Sequence, residues 1–233
     1  MKSLKQSILL IIGILLVSIF VSCNKEDTDP LPLSPNEWWE SLSPDWKDCI
    51  LYSSETIDHT VHFDPEQIQE KTYFVNLNGY NFKNLDPLKY MYNITGLTCT
   101  DSSLTNIEGL FYLNNLENVN LSGTRISDIT SLKNSIRIKE LSFNFTNVKD
   151  IGIISNLTKL EQLQFIETKV ETLNPLKDLK MVRRLIFYSA PINSLKPIMN
   201  FDSLEYLDCS WTRIPEIEIN EFKLKHPDCI VSN

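Results

Sequence analysis

Between residues 72 and 225 the large apolar side chains recur with a rhythm that belongs to neither regular element. In the stretch LEQLQFIETKVETLNPLKDL, residues 160 to 179, they stand at Leu160, Leu163, Phe165, Val170, Leu173, Leu176 and Leu179. The steps of three, two, five, three, three and three match neither the three-and-four spacing of an amphipathic helix nor the alternation of a half-buried strand.

The rhythm resolves when neighbouring stretches are laid under one another. Thr72, Ile94, Leu116, Ile138, Leu160, Val182 and Leu204 each open a similar block, 22 residues after the last. The third position after each start holds Val75, Leu97, Val119, Leu141, Leu163, Leu185 and Leu207, and the fifth holds Leu77, Cys99, Leu121, Phe143, Phe165, Phe187 and Cys209. Counting the starts and the tenth, thirteenth and sixteenth positions as well, every member of these six columns is apolar except Thr72 and Asn220. In a chain that is 42% apolar, coincidence does not produce this.

Side chains on a strand alternate, so the third and fifth residues of each block face the same way, and the spacing predicts one short strand per block. Parallel strands stacked at about 4.8 Å make seven turns roughly 34 Å long. About 17 residues per turn remain for two bends and the return, too few for a long helix, so short 3₁₀ or irregular segments are expected on the convex side. Each turn then touches mainly its neighbours, and both ends need caps.

A block that opens LxxLxL and repeats every 22 residues resembles the leucine-rich repeat, and the I..I..L..L that follows is similar to that of bacterial internalins. The resemblance covers residues 72 to 225. It implies an α/β fold, a leucine-rich repeat solenoid or horseshoe with a parallel β-sheet on the concave face, short 3₁₀ or irregular convex segments and a helical N-terminal cap. The chain departs from the family where asparagine is usual: eight residues after the start stand Tyr80, Ser102, Thr124, Thr146, Thr168, Ala190 and Thr212. Each turn bends inward there and leaves buried backbone groups in need of partners, which a column of threonine hydroxyls can supply.

The ends of the repeat are marked in the sequence. Ser34-Pro35-Asn36-Glu37 orders an N-cap, a first-turn proline and an N3 glutamate, with Trp38 and Trp39 behind them. Ser43-Pro44-Asp45-Trp46 and Asp64-Pro65-Glu66-Gln67 begin two more short helices. At the other end residues 216 to 225 look helical, and HPDCIV puts His226, Cys229 and Val231 at the start, third and fifth positions of an eighth block. A last strand behind a helix would close the core against edge pairing.

The N-terminus carries a different signal. Lys2 and Lys5 precede an apolar run from Ile8 to Val21, shorter than the roughly 20 residues of a bilayer span, and the order of basic, apolar and small residues is that of a secretory signal. FVSC, ending at Cys23, resembles the lipobox of bacterial lipoproteins, with Phe20 where leucine is usual; it implies lipidation at Cys23 and cleavage before it. An uncut signal anchor is the alternative. NKEDTDPLPLSPN after it is polar and proline-broken, an extended tether. CNKED is similar to the lysine and acid signal that sends lipoproteins to the outer surface of Gram-negative cells. The expected organisation is residues 1–22 signal peptide, 23–36 lipidated cysteine and tether, 37–71 helical cap, 72–215 repeats and 216–233 C-terminal cap, with the protein on the bacterial outer membrane facing the exterior.

Charge excludes some partners. The chain carries a net −8, and loss of Lys2 and Lys5 with the signal leaves −10. Such a balance disfavours nucleic acid and anionic headgroups, so attachment to the membrane falls to the lipid on Cys23. Cys49, Cys99, Cys209 and Cys229 show no paired metal-type spacing and read as small core residues. Cys99 and Cys209 lie five turns apart, about 24 Å, far past the 7 Å reach of a disulfide, and Cys209 and Cys229 are out of register.

What the core leaves outside is the candidate site. The second, fourth, sixth and seventh residues of each block line the concave face. They are mostly small or polar in the first three turns, among them Phe74, Asn76, Asn78, Gly96, Asn118 and Asn120. In the last four turns they become aromatic, aliphatic and charged. Phe145, Ile166, Arg184, Ile186, Tyr188, Tyr206, Asp208 and Trp211 are the expected ligand-binding residues, because aromatic residues and arginine dominate interface hot spots.

Catalytic chemistry finds little support. His59 and His62 form an HxxH pair with no further ligands nearby, and there is no phosphate loop, nucleophile elbow or HExxH. Asp128, Asp150 and similar acids recur with the repeat as turn residues. No cofactor is expected. The favoured function is recognition of a protein ligand, for which the internalin resemblance implies adhesion or host contact; the alternative is a glycan-binding or envelope-assembly lipoprotein.

Overall fold

One three-residue strand per repeat, paired in chain order, builds a single parallel sheet: β1 (Phe74–Asn76), β2 (Gly96–Thr98), β3 (Asn118–Asn120), β4 (Glu140–Ser142), β5 (Gln162–Gln164), β6 (Arg184–Ile186), β7 (Tyr206–Asp208) and β8 (Ile230–Ser232). The computed structural model describes residues 33–54, 64–100 and 102–233, and Ser34–Asn233 form one compact unit. The signal region, Cys23, most of the tether, and His59 with His62 lie outside the described residues.

The register is the one the columns dictate. Val75 stands opposite Leu97, Leu97 opposite Val119, and so on to Leu185 opposite Leu207. All third-position and fifth-position side chains are buried. The fifth-position rings of Phe143, Phe165 and Phe187 stack along the coil axis, 5.8 and 5.4 Å between centroids and 12° from parallel at both steps. Burying each phenyl group supplies about 2–3 kcal/mol.

The return path consists of 3₁₀ segments: Asp86–Tyr90, Glu108–Tyr112, Thr130–Asn134, Gly152–Asn156, Asn174–Leu176 and Lys196–Ile198. A short polar side chain starts each by accepting the backbone N–H two residues on. Asn106 takes Glu108 at 2.7 Å, Asp128 takes Thr130 at 2.7 Å, Asp150 takes Gly152 at 2.7 Å and Thr172 takes Asn174 at 3.1 Å. The recurring acids are turn residues, as their spacing suggested.

The threonine column works within turns. The hydroxyls of Thr124, Thr146, Thr168 and Thr212 donate to the carbonyls of Leu121, Phe143, Phe165 and Cys209 at 2.7–2.9 Å, three residues back in each case. Tyr80 leaves this pattern and turns its hydroxyl out to Asp48, 2.5 Å away.

Three helices cap the first turn: α1 (Pro35–Ser41), α2 (Pro44–Ser53) and α3 (Pro65–Lys71), with Ser34, Ser43 and Asp64 as N-caps. In α1 the box closes reciprocally, Glu37 N–H to Ser34 Oγ at 3.3 Å and Ser34 N–H to Glu37 Oε2 at 2.9 Å; the Ser34 hydroxyl also donates to Glu37 Oε2 at 2.7 Å, and this bond, with the Ser34 N–H, holds the Glu37 carboxyl below its ordinary pKa. Trp38 is fully buried and its indole N–H reaches the Pro87 carbonyl at 3.0 Å, while Trp46 stacks on Phe82 with centroids 3.8 Å apart. The outer edge of β1 is satisfied by α2: Asn76 N–H donates to Ser53 Oγ at 3.1 Å and the Cys49 thiol donates to the Asn76 carbonyl at 3.3 Å.

The C-terminal end corrects one expectation. Val231 and not Cys229 stands opposite Leu207, so the eighth block begins two residues later than the spacing of HPDCIV suggested. The cause is α4 (Glu216–Lys225), which replaces the 3₁₀ return. An α-helix advances about 1.5 Å per residue against about 2.0 Å for 3₁₀, so the same path consumes more chain. The helix also swings Ile217 out of the thirteenth column into solvent. Ile219 and Phe222 fill the core, and the buried Glu218 carboxylate accepts the Leu195 N–H at 2.8 Å and the Ser194 hydroxyl at 3.0 Å. Thus α4 closes the core, whereas β8 remains the outermost strand with Ile230 exposed. The four cysteines from Cys49 to Cys229 are free; the first three are buried core residues, and Cys229 is half-buried at the edge of that core.

Candidate ligand-binding face

The concave surface takes its side chains from the second and fourth positions, which lie on the strands, and from the sixth and seventh, which lie in the bend that follows each strand. The inter-turn hydrogen bonds continue through that bend. Phe145 N–H donates to the Ile166 carbonyl at 2.8 Å, Glu167 N–H to Tyr188 at 3.1 Å and Ser189 N–H to Ser210 at 2.9 Å. A bend that keeps this ladder while turning inward needs a left-handed residue at its seventh position.

The seventh column supplies it in two ways. Gly79 and Gly123 take positive φ in the early turns at no steric cost. In the last four turns the same position holds Phe145 (φ 56°), Glu167 (φ 48°), Ser189 (φ 59°) and Trp211 (φ 58°). For a bulky L-residue this conformation costs on the order of 1–2 kcal/mol. Trp211 is nonetheless 85% exposed, so its side chain recovers little of that cost by packing, and Phe145, 52% exposed, recovers only part of it.

Between them the structure assembles most of the expected patch. Arg184 is exposed, and Ile166, Tyr188, Tyr206 and Asp208 are half-buried on the same face. The Arg184 guanidinium lies 4.3 Å from the centre of the Tyr206 ring on the neighbouring strand. Asp208 Oδ1 accepts the Ser210 N–H at 3.1 Å and the Ser210 hydroxyl at 2.7 Å. Glu140 accepts the Gln162 amide at 3.2 Å, and Asn144 accepts the Ile166 N–H at 2.9 Å.

Ile186 is a correction: it is 7% exposed and belongs to no open patch. The fourth position sits in mid-sheet between the flanking second and sixth columns, and the side chains there are at most half-exposed throughout, from Asn76 to Asp208. Phe145 and Trp211 are also displaced from the strands themselves and stand on the rim of the sheet.

Two features escaped the pattern reading. The left-handed column was signalled by Gly79 and Gly123 in register with Phe145 and Trp211, but large side chains at that position read as surface and not as strained backbone. Phe74, on β1, is half-exposed and lies over Gly96 on β2, where an added Cβ would strike its ring. A glycine opposite an aromatic across a strand pair was the available clue.

The edge column just before the strands carries alternating charge, with Lys139 Nζ 2.7 Å from Glu117 and Arg183 paired to Glu205. Lys139 holds the Glu117 carboxyl down, Glu117 holds Lys139 up, and Glu205 holds Arg183 up. A groove of about 490 Å³ beside it is lined by Glu161, Lys180, Met181, Asp202 and Asp228 and lies off the concave face. It is shallow and open to solvent. Among the described residues no group of three or more His, Cys, Asp or Glu side chains is arranged to hold a metal ion, and no helix is long and apolar enough to cross a membrane.

This geometry is that of a leucine-rich repeat solenoid with an open concave sheet. Solved structures agree: the chain is similar to the internalin inlF of Listeria monocytogenes, with a TM-score of 0.73 at 21% identity over 88% of this chain and 59% of that one. It is similar also to internalin C2 of the same organism, with a TM-score of 0.70 at 18% identity over 89% of this chain and 88% of the other. The chain thus spans less than two thirds of the length of inlF but most of internalin C2. No protein-family model and no curated protein matches it.

Proposed function

We propose that this chain is a lipid-anchored recognition module of a bacterial outer membrane, facing the cell exterior, and that it grips a protein ligand with the C-terminal half of its concave face. The observation that carries the reading is the pair of rim aromatics, Phe145 and Trp211, held exposed at left-handed positions where glycine would be cheaper. A sequence keeps backbone strain without a packing return where something else uses the side chain. Tyr188, Tyr206, Ile166 and Arg184 make the surface between them amphipathic, the composition of an interface centre. The likeness to internalins supports the fold on which such a surface is displayed. The anchor rests on FVSC and the tether that follows it.

A glycan ligand is the second reading, favoured by Trp211: a flat ring standing 85% exposed is what stacks on a sugar. Pull-down from candidate host or envelope extracts with the intact chain and a Tyr188→Ala/Trp211→Ala variant separates the two. Loss of a captured protein supports the first and loss of polysaccharide the second, whereas capture unchanged by both substitutions refutes the concave site. Protease added to intact cells reads the location, and Cys23→Ser should release the protein from the membrane fraction.

A further inference from the structure

The charges of the concave face are unequally satisfied. Glu140 is engaged by Gln162, and Asp208 by both donors of Ser210. Arg184 is the one cation on the concave columns among the described residues, and no carboxylate lies within ion-pair distance of it. Its column neighbours are Gln162 on one strand and Tyr206 on the other, neither of them acidic.

Arg184 is also held. With its charge centre 4.3 Å from the middle of the Tyr206 ring, the guanidinium rests against an aromatic face that fixes it in place while leaving its N–H donors unclaimed. An arginine so placed has already lost much of its side-chain freedom, and its planar fork matches a carboxylate in bidentate fashion. On a chain of net −8, long-range attraction favours a basic partner, so a carboxylate is drawn to this point only by contact and only in one register. That combination gives specificity more than affinity.

We propose that Arg184 is the specificity-determining residue of the concave site and that it receives an aspartate or glutamate side chain of the protein partner, whose adjoining apolar residue meets Tyr188 and Trp211. This rests on the concave face being the ligand site. The partner segment is therefore an acidic residue beside an aromatic or aliphatic one, in a stretch that is otherwise neutral or basic.

The test uses the full-length protein and a random peptide display library. Selection on the native chain should enrich peptides with Asp or Glu next to an apolar residue. A synthesised representative should bind about tenfold to a hundredfold more weakly to Arg184→Gln, in line with the loss of a charge-assisted hydrogen bond. Arg184→Lys should recover only part of that. Replacing the peptide's acid by its amide should cost the same factor against the native chain and nothing further against Arg184→Gln, a coupling that a merely structural role would not produce. Peptides that depend on Trp211 but carry no acid, or that bind Arg184→Gln unchanged, overturn the carboxylate assignment and leave the concave site standing. Selection that yields no peptide sensitive to Trp211→Ala, or binding of an acidic oligosaccharide alone, overturns both.

Discussion

The Thr168 hydroxyl donates to the carbonyl of Phe165 three residues before it, 2.9 Å away, in a place closed to water. The same bond recurs at Thr124, Thr146 and Thr212, so in each of these four turns one hydroxyl satisfies a backbone oxygen that the inward bend would strand. Thr168→Val keeps the shape and removes the donor. It should destabilise the chain by about 1–3 kcal/mol, read as a lower denaturant midpoint at an unchanged slope. No loss of stability would mean the carbonyl finds another partner.

Glu218 is a buried carboxylate with two donors fixed upon it, Leu195 N–H and Ser194 Oγ. It ties α4 to the last 3₁₀ segment, and Glu218→Ala leaves a buried N–H without an acceptor. Since each turn of a solenoid leans on its neighbour, the damage should begin at the C-terminal end. Amide hydrogen exchange should accelerate at Leu195 and through β7 and β8 while β2 and β3 stay protected.

How much of this was legible beforehand differs by level. The columns, the strands, the 3₁₀ returns and all three N-caps follow from residue type and spacing, because a 22-residue turn admits one apolar interior and each cap is a local hydrogen-bond problem. The slip before Val231 was not legible: HPDCIV fits two phases, and only the extra residues consumed by α4 decide between them. Nor was the burial of Ile186, which depends on how the neighbouring columns flank a mid-sheet position and not on the period. Phe145 and Trp211 were readable as outward-facing, but their left-handed backbone was not, since residue identity at that column argues against it.

Burial pushes the Cys49 thiol up to about 12 and Cys209 to about 11, from an ordinary value of 9.0. The folded chain keeps these protons at pH values where an unfolded chain has released them. The stability they contribute is therefore complete below pH 9 and is lost as pH rises toward 11 and 12, at about 1.4 kcal/mol per pH unit for each group. Denaturant midpoints should hold steady from pH 7 to 8.5 and then fall, and the fall should be shallower in Cys49→Ala. An equally steep decline in that variant would assign the alkaline loss to other groups.

The left-handed aromatics give the sharpest prediction, because stability and binding should move in opposite directions. At φ 58° and 56° the backbones of Trp211 and Phe145 occupy a region that glycine enters freely, and the Trp211 side chain is largely in solvent and that of Phe145 about half so, which leaves less packing to forfeit than the strain relieved. Trp211→Gly and Phe145→Gly should each raise stability by about 0.5–1 kcal/mol through relief of the strained conformation. Trp211→Gly should at the same time weaken ligand capture by tenfold or more, the size of a hot-spot loss. Trp211→Ala separates the two effects, since it keeps the Cβ strain and loses the ring: it should bind as poorly as Trp211→Gly without gaining its stability. If Trp211→Gly is instead less stable than the native chain, the indole packs in solution, and its exposure can no longer be read as preparation for a partner.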